Sequence, residues 1–486
     1  MGIIPAMLQK IWLRRVRRTT LISIASVAFL AGIGLARSRC YVSLEVVAAS
    51  LALLWFCRKR TLALAVPAIL IIGLLAGLWR GGEVLRQVDV YASLTDHKIS
   101  VAGIVAQDST YGRQKQIDFL IDHVRVDGRN VPGQVRVTTF DPIEPKQGDH
   151  IIATTKAKPG FGNYQLGMYY AGVQIVGHDS SWIGRLRRTF SAAILNVIPE
   201  PQASLGLGFL LGIKSQLPDS LNDQLKVVGL THIVVASGYN LTILVRAARR
   251  LLAKRSKYQA TAVAVTLMIG FVAVTGFTPS MSRAALVTSL SLAAWYYGRV
   301  IHPVVLLTFS AAITGAIMPL YVWGDVGWYL SFLAFGGVML GAPLLQKRLF
   351  GTRQAPQLVQ ILLETVCAEI VALPLTLLVF GSASAVAILS NVLVTPLVPV
   401  AMLLSFVAGA ASLVLPGPGA WLALPAHVVL TYMTNAISWL AGIPWAKQSV
   451  SLSIAGLIAI YGCVLAIGVV LWRRTRYDYL SKGVVE

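Results

Sequence analysis

The sequence predicts an α-helical polytopic membrane protein, with about 12 transmembrane helices and one small all-β domain inserted after the third helix. Of its 486 residues, 56% are hydrophobic and 13% are charged, whereas an ordinary soluble domain carries about 25% charged residues. Long apolar runs separated by short basic loops recur along most of the chain. One stretch, from about residue 99, changes to short runs of alternating polarity bounded by turn residues, a pattern typical of strands.

The first 80 residues contain three apolar runs, which we interpret as membrane helices over residues 21–36, 41–57 and 61–79. The basic triplet Arg58-Lys59-Arg60 separates the second run from the third, and such loops stay in the cytoplasm. The chain after residue 80 is therefore expected outside. A cleavable signal peptide is the alternative for the first run, but Arg37-Ser38-Arg39 offers no small-residue cleavage site.

Residues 81–180 are predicted to form the extracytoplasmic β domain. Five alternating runs, each followed by Gly, Pro or Asp turn residues, favour a small barrel with strands over 99–105, 117–124, 135–140, 150–154 and 173–176. Residues 181–200 follow as an amphipathic helix in the membrane interface, with Trp182 and three arginines near its start.

Residues 201–472 form the second membrane region. It begins with the Gly-rich run 205–213, which is too short to span and is predicted to be re-entrant. Further spans are predicted over 232–252, 258–277, 284–298, 302–320, 326–345, 359–380, 385–415, 421–440 and 451–472. Run 385–415 contains Pro396 and Pro399, so it is expected to be kinked or split into two half-helices. This arrangement leaves both termini, including the tail 473–486, in the cytoplasm.

The net charge of +22 is explained mostly by membrane topology. Of the 42 cations, 22 lie in loops and tails that the topology assigns to the cytoplasm, whereas residues 80–182 carry 11 Lys and Arg against 11 Asp and Glu. The positive net charge is therefore weak evidence that the protein binds nucleic acid. The four cysteines share no metal-ligand spacing, no two of the seven histidines lie within five residues, and no phosphate-binding P-loop motif is present. We expect no metal, no cofactor and no catalytic residue.

One segment, residues 231–242, is apolar enough for a bilayer yet carries polar residues at its middle, namely His232, Ser237, Gly238 and Asn240. The pattern Gly-Leu-x-His-x-x-x-x-Ser-Gly at 229–238, following Leu-Leu-Gly at 210–212, resembles the core motif of the ComEC-type competence proteins. Four more stretches resemble motifs of that family and occur along the chain in the same order as in the family. They are residues 275–284, 325–334, Glu369 with 373–375 and 380–381, and 390–399. Together with the β domain, the resemblance covers about residues 99–406.

The resemblance implies a channel in the bacterial cytoplasmic membrane that translocates single-stranded DNA during natural transformation. It implies an OB-like β domain and, as partners, membrane lipid, a separate DNA receptor, a nuclease and a cytoplasmic ATP-driven motor. The sequence departs from the family twice. Tyr239-Asn240 stand where many members have His, and no metallo-β-lactamase-like domain follows residue 472. We therefore expect this chain not to cut DNA.

The motifs supply the candidate DNA path, which comprises His232, Ser237, Gly238, Asn240, Arg283, Asp325, Glu369 and Asn391. Each residue has a structural alternative. Arg283 could hold a phosphate through its bidentate guanidinium, or cap a helix or reach the headgroups. Asp325 could pair with Arg283 or cap its own helix, and the asparagines could bond across helices. In the β domain, Tyr111, Phe140, Tyr164 and Tyr169 are candidates for stacking on bases, or for packing in the barrel core, and Tyr170 is also available.

Two other functions remain open at the level of the sequence. A secondary transporter or exporter of a small solute would use the intramembrane carboxyl group of Glu369 as a proton site. An intramembrane hydrolase would need Ser237 and His232 together, yet five residues along a helix put them on different faces.

Overall fold

The computed structural model describes most of the chain. The described residues are 16–53, 62–111, 116–126, 128–131, 133–160, 164–179, 181–213, 217–234, 238–252, 256–276, 279–351, 353, 355–415 and 419–479. The candidate Ser237 lies outside them.

In the described part of the chain the first helices are α1 (Arg18–Ala36), α2 (Leu44–Ser50), α3 (Leu62–Val88) and α4 (Val90–Leu94). Helices α1 and α3 pack closely side by side and run parallel, since Gly73, Gly77 and Gly81 meet successive turns of α1. Gly32 of α1 faces Gly77 of α3, and a Cβ on either glycine would collide with the backbone of the opposite helix. Small residues of this kind let membrane helices approach closely.

The β domain consists of eight strands among the described residues. They are β1 (Lys98–Val105), β2 (Thr110–Tyr111), β3 (Ile117–Val126), β4 (Arg129–Asn130), β5 (Val135–Thr139), β6 (His150–Pro159), β7 (Leu166–Tyr169) and β8 (Gly172–Gly177). The pairings run β1–β3–β5–β7–β6 and return from β6 to β1, which closes a barrel. The β5–β7 pair is parallel and the other pairs of this ring are antiparallel. A small closed barrel confirms the predicted fold class and is consistent with an OB-like domain.

Strand β7 was missed by the sequence prediction. It pairs with the end of β6, and β8 continues along the same edge of β6 toward its start. The two strands are therefore halves of one bent strand, interrupted where Tyr170 adopts the left-handed conformation with φ of 56°. The sequence run Leu166–Tyr169 lacks the alternation that revealed its neighbours, because Leu166, Gly167 and Met168 are all buried.

The helices that follow the barrel form the second helical region. They are α5 (Trp182–Val197), α6 (Gln202–Leu211), α7 (Asp219–Val227), α8 (Thr231–Val234), α9 (Gly238–Leu252), α10 (Lys257–Thr275), α11 (Pro279–Tyr296), α12 (Pro303–Ile317), α13 (Leu320–Gly324), α14 (Val326–Gly336), α15 (Ala342–Phe350), α16 (Gln357–Phe380), α17 (Ala387–Val394), α18 (Val398–Val414), α19 (Gly419–Ala441) and α20 (Ile454–Thr475). A two-stranded sheet pairs β9 (Ser382–Ser384) with β10 (Lys447–Ser449).

Within the described residues, seven helices are long and apolar enough to cross a membrane. Hydropathy along the sequence predicted about 12 spans. Part of the difference arises from breaks and short helices: the predicted span 232–252 is divided between α8 and α9, and α12 has 15 residues. The predicted span 41–57 contains the seven-residue helix α2 and extends beyond the described residues. The predicted break near Pro396 is present as a 3₁₀ turn, Thr395–Leu397, between α17 and α18.

The short helix α6 occupies the centre of the largest buried cluster of the helical region. Leu205, Leu207 and Phe209 are fully buried against residues of α18 and α19 among others. Burial in protein is the condition under which a helix too short to span is tolerated at membrane depth.

Candidate functional site

Three of the family-like motifs meet around the side chain of Arg283. The start of α9 contributes Gly238, the first turns of α11 contribute Arg283, and α14 contributes Ser331 together with Phe332 and Phe335. These segments are separated by more than 40 residues in sequence, so the helical packing creates the cluster.

The guanidinium of Arg283 is held in one orientation by α14. Its Nε donates a hydrogen bond to Ser331 Oγ at 2.5 Å. Its central carbon lies 5.2 Å from the ring centroid of Phe335 and 5.9 Å from that of Phe332, within the range of cation–π attraction. Arg283 forms no ion pair with any residue that the structure describes. No carboxylate of the described residues therefore pairs with its two terminal amino groups.

Gly238 allows α9 to approach this guanidinium. A Cβ at position 238 would lie 3.0 Å from Arg283 Nη2 and 2.6 Å from the Cβ of Ala284. No larger residue fits there without moving α9 or α11. The Ser-Gly pair of the sequence motif therefore has a packing role at Gly238, next to the terminal amino groups of Arg283.

Asp325 lies at the start of α14 as a helix cap. Its carboxylate accepts a hydrogen bond from the backbone N–H of Trp328 at 2.6 Å, and the side chain is buried. This is the N-cap alternative that the sequence left open. The pairing of Asp325 with Arg283, both of which the structure describes, does not occur.

The two candidate asparagines tie buried elements together. Asn240 is fully buried, and its Nδ2 donates to the carbonyl oxygen of Phe209 at 3.1 Å, which joins α9 to α6. Asn391 donates to the carbonyl of Ala387 at 2.9 Å and accepts from Thr395 Oγ1 at 3.1 Å, across the break after α17. Val394, one turn from Asn391, belongs to the largest buried cluster, whereas Met281 and Ala284 beside Arg283 belong to another.

The remaining candidates of the path are dispersed. His232 lies on the exposed side of α8. Glu369 is half-buried on α16 and has no hydrogen bond or ion pair with the described part of the chain, whereas Glu364 accepts from Gln360 at 3.0 Å. Helix α16 packs closely against the segment after α14, where a Cβ at Gly337 would collide with the carbonyl of Cys367.

The β domain presents its aromatic residues in two groups. Phe140 and Tyr170 stack with ring centroids 5.6 Å apart and an interplanar angle of 18°, and both are exposed, Tyr170 at 76%. Beside them, the Arg136 guanidinium lies over the ring of Tyr164 at 5.8 Å. A hydrogen bond with Tyr164 and partial burial raise the pKa of Tyr169. Tyr111 belongs to β2, and its side chain lies outside the described residues.

Two residues of the Arg283 site, Ser331 and Phe335, were not among the predicted candidates. Ser331 lies inside the third motif, but its pairing with Arg283 depends on how two helices pack. Phe335 follows that motif and has the sequence context of an ordinary apolar residue. Tyr170 was among the aromatic residues that the sequence offered for stacking on bases, but its own stacking on Phe140 depends on the bend between β7 and β8.

The fold and the site define a polytopic membrane protein with a small β-barrel-like domain and a guanidinium fixed at the junction of its core helices. No group of three or more metal-ligating side chains occurs within the described ranges. The family model described as competence protein matches residues 209–475, which is more than half of the chain. The chain belongs to the competence protein family. No curated protein and no solved structure matches it significantly.

Proposed function

We propose that this protein is the membrane channel through which single-stranded DNA crosses the cytoplasmic membrane during natural transformation. Membership of the competence family supports a role in DNA uptake. The observation that carries the finer proposal is the Arg283 guanidinium, which is oriented by Ser331 and Phe335 while no carboxylate of the described residues pairs with it.

This geometry suits a phosphate group that must bind and then leave. A guanidinium presents two parallel N–H donors to phosphate oxygens, and here Ser331 and the aromatic rings fix the plane of that fork before the phosphate arrives. A single cation of this kind attracts each phosphate without trapping the strand, and conduction requires sites that release as well as bind.

The β domain is proposed to guide bases toward this site. Exposed aromatic rings such as Phe140 and Tyr170 stack on bases of any sequence. The loop before β6 approaches the helical region, since a Cβ at Gly276 would collide with the side chain of Gln147. Gly276 lies at the start of the motif that contains Arg283. The loop before β6 therefore lies next to the segment that leads into α11.

In this function the β domain faces outward and both termini lie in the cytoplasm, an orientation that the basic loops support. A separate receptor and nuclease deliver one strand, and a cytoplasmic ATP-driven motor pulls it inward. This chain itself performs no catalysis.

A direct test uses liposomes that contain the purified protein and enclose a quenched fluorescent probe complementary to an added oligonucleotide. Single-stranded oligonucleotide should cross and produce a signal, whereas the same sequence as a blunt duplex should not. Liposomes without protein give the baseline. Equal signals with and without protein would refute the channel.

Glu369 favours a second candidate function, because a half-buried carboxyl group without a partner in the described part of the chain is typical of a proton site in a transporter. The substitution Glu369→Gln separates the two functions. A DNA channel carrying this substitution should retain oligonucleotide entry at the wild-type rate, whereas proton-coupled transport of a small solute should be lost.

A further inference from the structure

A cavity of about 90 Å³ lies beside Phe335, between α9, α11 and the segment after α14. Its walls include two arginines, three hydroxyl residues and the Phe335 ring; these residues are Arg246, Arg249, Thr242, Thr288, Ser291 and Phe335. Among the described residues that line it, none is acidic. This volume is large enough for several water molecules or one phosphate-sized anion.

Arg249 is the better fixed of the two cations. Its guanidinium stacks on Trp295, with the central carbon 4.5 Å from the ring centroid. Its Nε is buried and makes no hydrogen bond to any described residue. A buried charged donor without a partner is costly, and an anion in the cavity would satisfy it. Arg246 lies one turn earlier on the same face of α9, at the exposed side.

Phe335 connects this cavity to the Arg283 site. Its ring lies under the Arg283 guanidinium at 5.2 Å and also forms part of the cavity wall. On α11, Arg283 and Ser291 are eight residues apart, which corresponds to about 12 Å along the helix axis. The two cationic positions therefore follow one another along the same helices.

The segment after Phe335 is unusual in its backbone. Gly337–Gly341 forms a π-helical turn, and Met339 within it lines the cavity. Turns of this type are rare and occur frequently at functional sites. The extra residue of the turn places Met339 on the cavity side while Gly337 stays packed against Cys367 of α16.

We propose that the cavity is a second phosphate-binding site, in which Arg249 and Arg246 hold a backbone phosphate of the strand after it has passed Arg283 and Phe335. This assignment rests on the proposed function for the identity of the ligand, but the anion site itself does not. A phosphodiester, a free phosphate and a lipid headgroup share the required chemistry, so the test must separate them.

The test places a single cysteine in the cavity wall. Cys40, Cys57, Cys367 and Cys463 are replaced by Ala, and Ser291→Cys is added; the elution profile of the purified protein serves as the control for folding. The rates of reaction with small anionic and cationic thiol reagents are compared in nanodiscs of neutral lipid. The anionic reagent should react faster. Arg249→Gln should lower the anionic-to-cationic rate ratio at least about tenfold. Arg249 and Ser291 line the same cavity, and a unit charge within about 12 Å at an effective dielectric constant of about 20 changes the rate of either reagent by at least about that factor.

Arg250→Gln is the matched control, since it removes the same charge one residue along α9, at an exposed position that does not line the cavity. It should leave most of the preference intact. Inorganic phosphate and a single-stranded oligonucleotide should both slow modification in the Ser291→Cys protein and should lose that effect with Arg249→Gln.

Three outcomes would overturn the proposal. A cysteine that is unreactive, or that reacts equally with both reagents, excludes an anion site. If Arg250→Gln lowers the anionic-to-cationic rate ratio as much as Arg249→Gln does, the preference reflects the general positive charge of α9 and not a site in the cavity. Protection by added anionic lipid but not by oligonucleotide assigns the site to a headgroup.

If phosphate protects but no oligonucleotide enters liposomes, the proposed function fails while the anion site remains. If oligonucleotide enters but the cysteine shows no preference, only the second site fails.

Discussion

At the scale of single residues, Asp325 positions the helix on which the Arg283 site depends. It caps α14 through the backbone N–H of Trp328, and the indole of Trp328 in turn donates to Thr314 Oγ1 on α12 at 3.0 Å. The cap therefore fixes the start of the helix that supplies Ser331 and Phe335. Its effect on Arg283 is indirect.

We expect Asp325→Ala to destabilise the protein by about 1 kcal/mol, the usual cost of losing a side-chain cap. Asp325→Asn should retain most of the stability, because its amide oxygen can accept the same hydrogen bond. Thermal unfolding of the purified proteins in detergent measures both. If Asn lowered the midpoint as much as Ala, the negative charge would matter and the capping role would be wrong.

The Phe140–Tyr170 pair gives a second prediction at this scale. Tyr170→Ala should weaken the binding of a short single-stranded oligonucleotide by about 1–3 kcal/mol, the usual contribution of one stacked base. Fluorescence anisotropy at constant salt measures the affinity. Val176→Ala is the control, since Val176 is an exposed apolar residue of β8 that has no ring. Unchanged affinity in the Tyr170→Ala protein would exclude this pair as a stacking surface.

At the scale of elements, helix α5 is tied to the β domain by a buried ion pair. Arg187 Nη2 lies 2.6 Å from Asp108 Oδ2, and both side chains are only about a tenth exposed. Arg187 also donates to Gln147, whose side chain lies against Gly276. Burial lowers the pKa of the Arg187 guanidinium and Asp108 opposes that shift. This contact fixes the barrel relative to the start of α11.

Asp108→Ala should therefore cost about 3–5 kcal/mol, because it leaves a buried guanidinium without its partner. The thermal midpoint should fall, and limited proteolysis should cut between the barrel and α5 more rapidly. The matched control is Lys156→Ala, which breaks the exposed pair with Asp96 and should change neither measurement. Similar effects of both substitutions would contradict this account.

At the scale of the whole molecule, the sequence correctly predicted features that a short local pattern of residues specifies. Alternation identified most barrel strands, and Pro396 identified the break before α18. The sequence was not informative about features that depend on how distant segments pack together. β7 is buried at consecutive positions and shows no alternation, and the π turn at Gly337–Gly341 has no sequence signal. The Arg283–Ser331 pair depends on two helices meeting, which spacing along the chain does not reveal.

Orientation across the membrane is tested by labelling single cysteines in intact cells. Lys156→Cys in the barrel should react with an impermeant thiol reagent, whereas Arg353→Cys in the loop before α16 should react only after the cells are opened. We expect this because short basic loops of membrane proteins are usually retained in the cytoplasm. Reaction of both cysteines from outside would contradict the arrangement.

The most direct measurement of the central claim compares oligonucleotide entry into liposomes for three variants at position 283 and a control. Arg283→Ala should reduce the rate of entry at least about tenfold, since it removes the oriented fork that binds phosphate. Arg283→Lys should retain part of the rate, because charge remains without the bidentate geometry. Arg283→Gln should behave like Arg283→Ala, and Lys226→Ala, which removes an exposed cation of α7, should match the wild type. Entry at the wild-type rate through correctly folded Arg283→Ala protein would contradict the account.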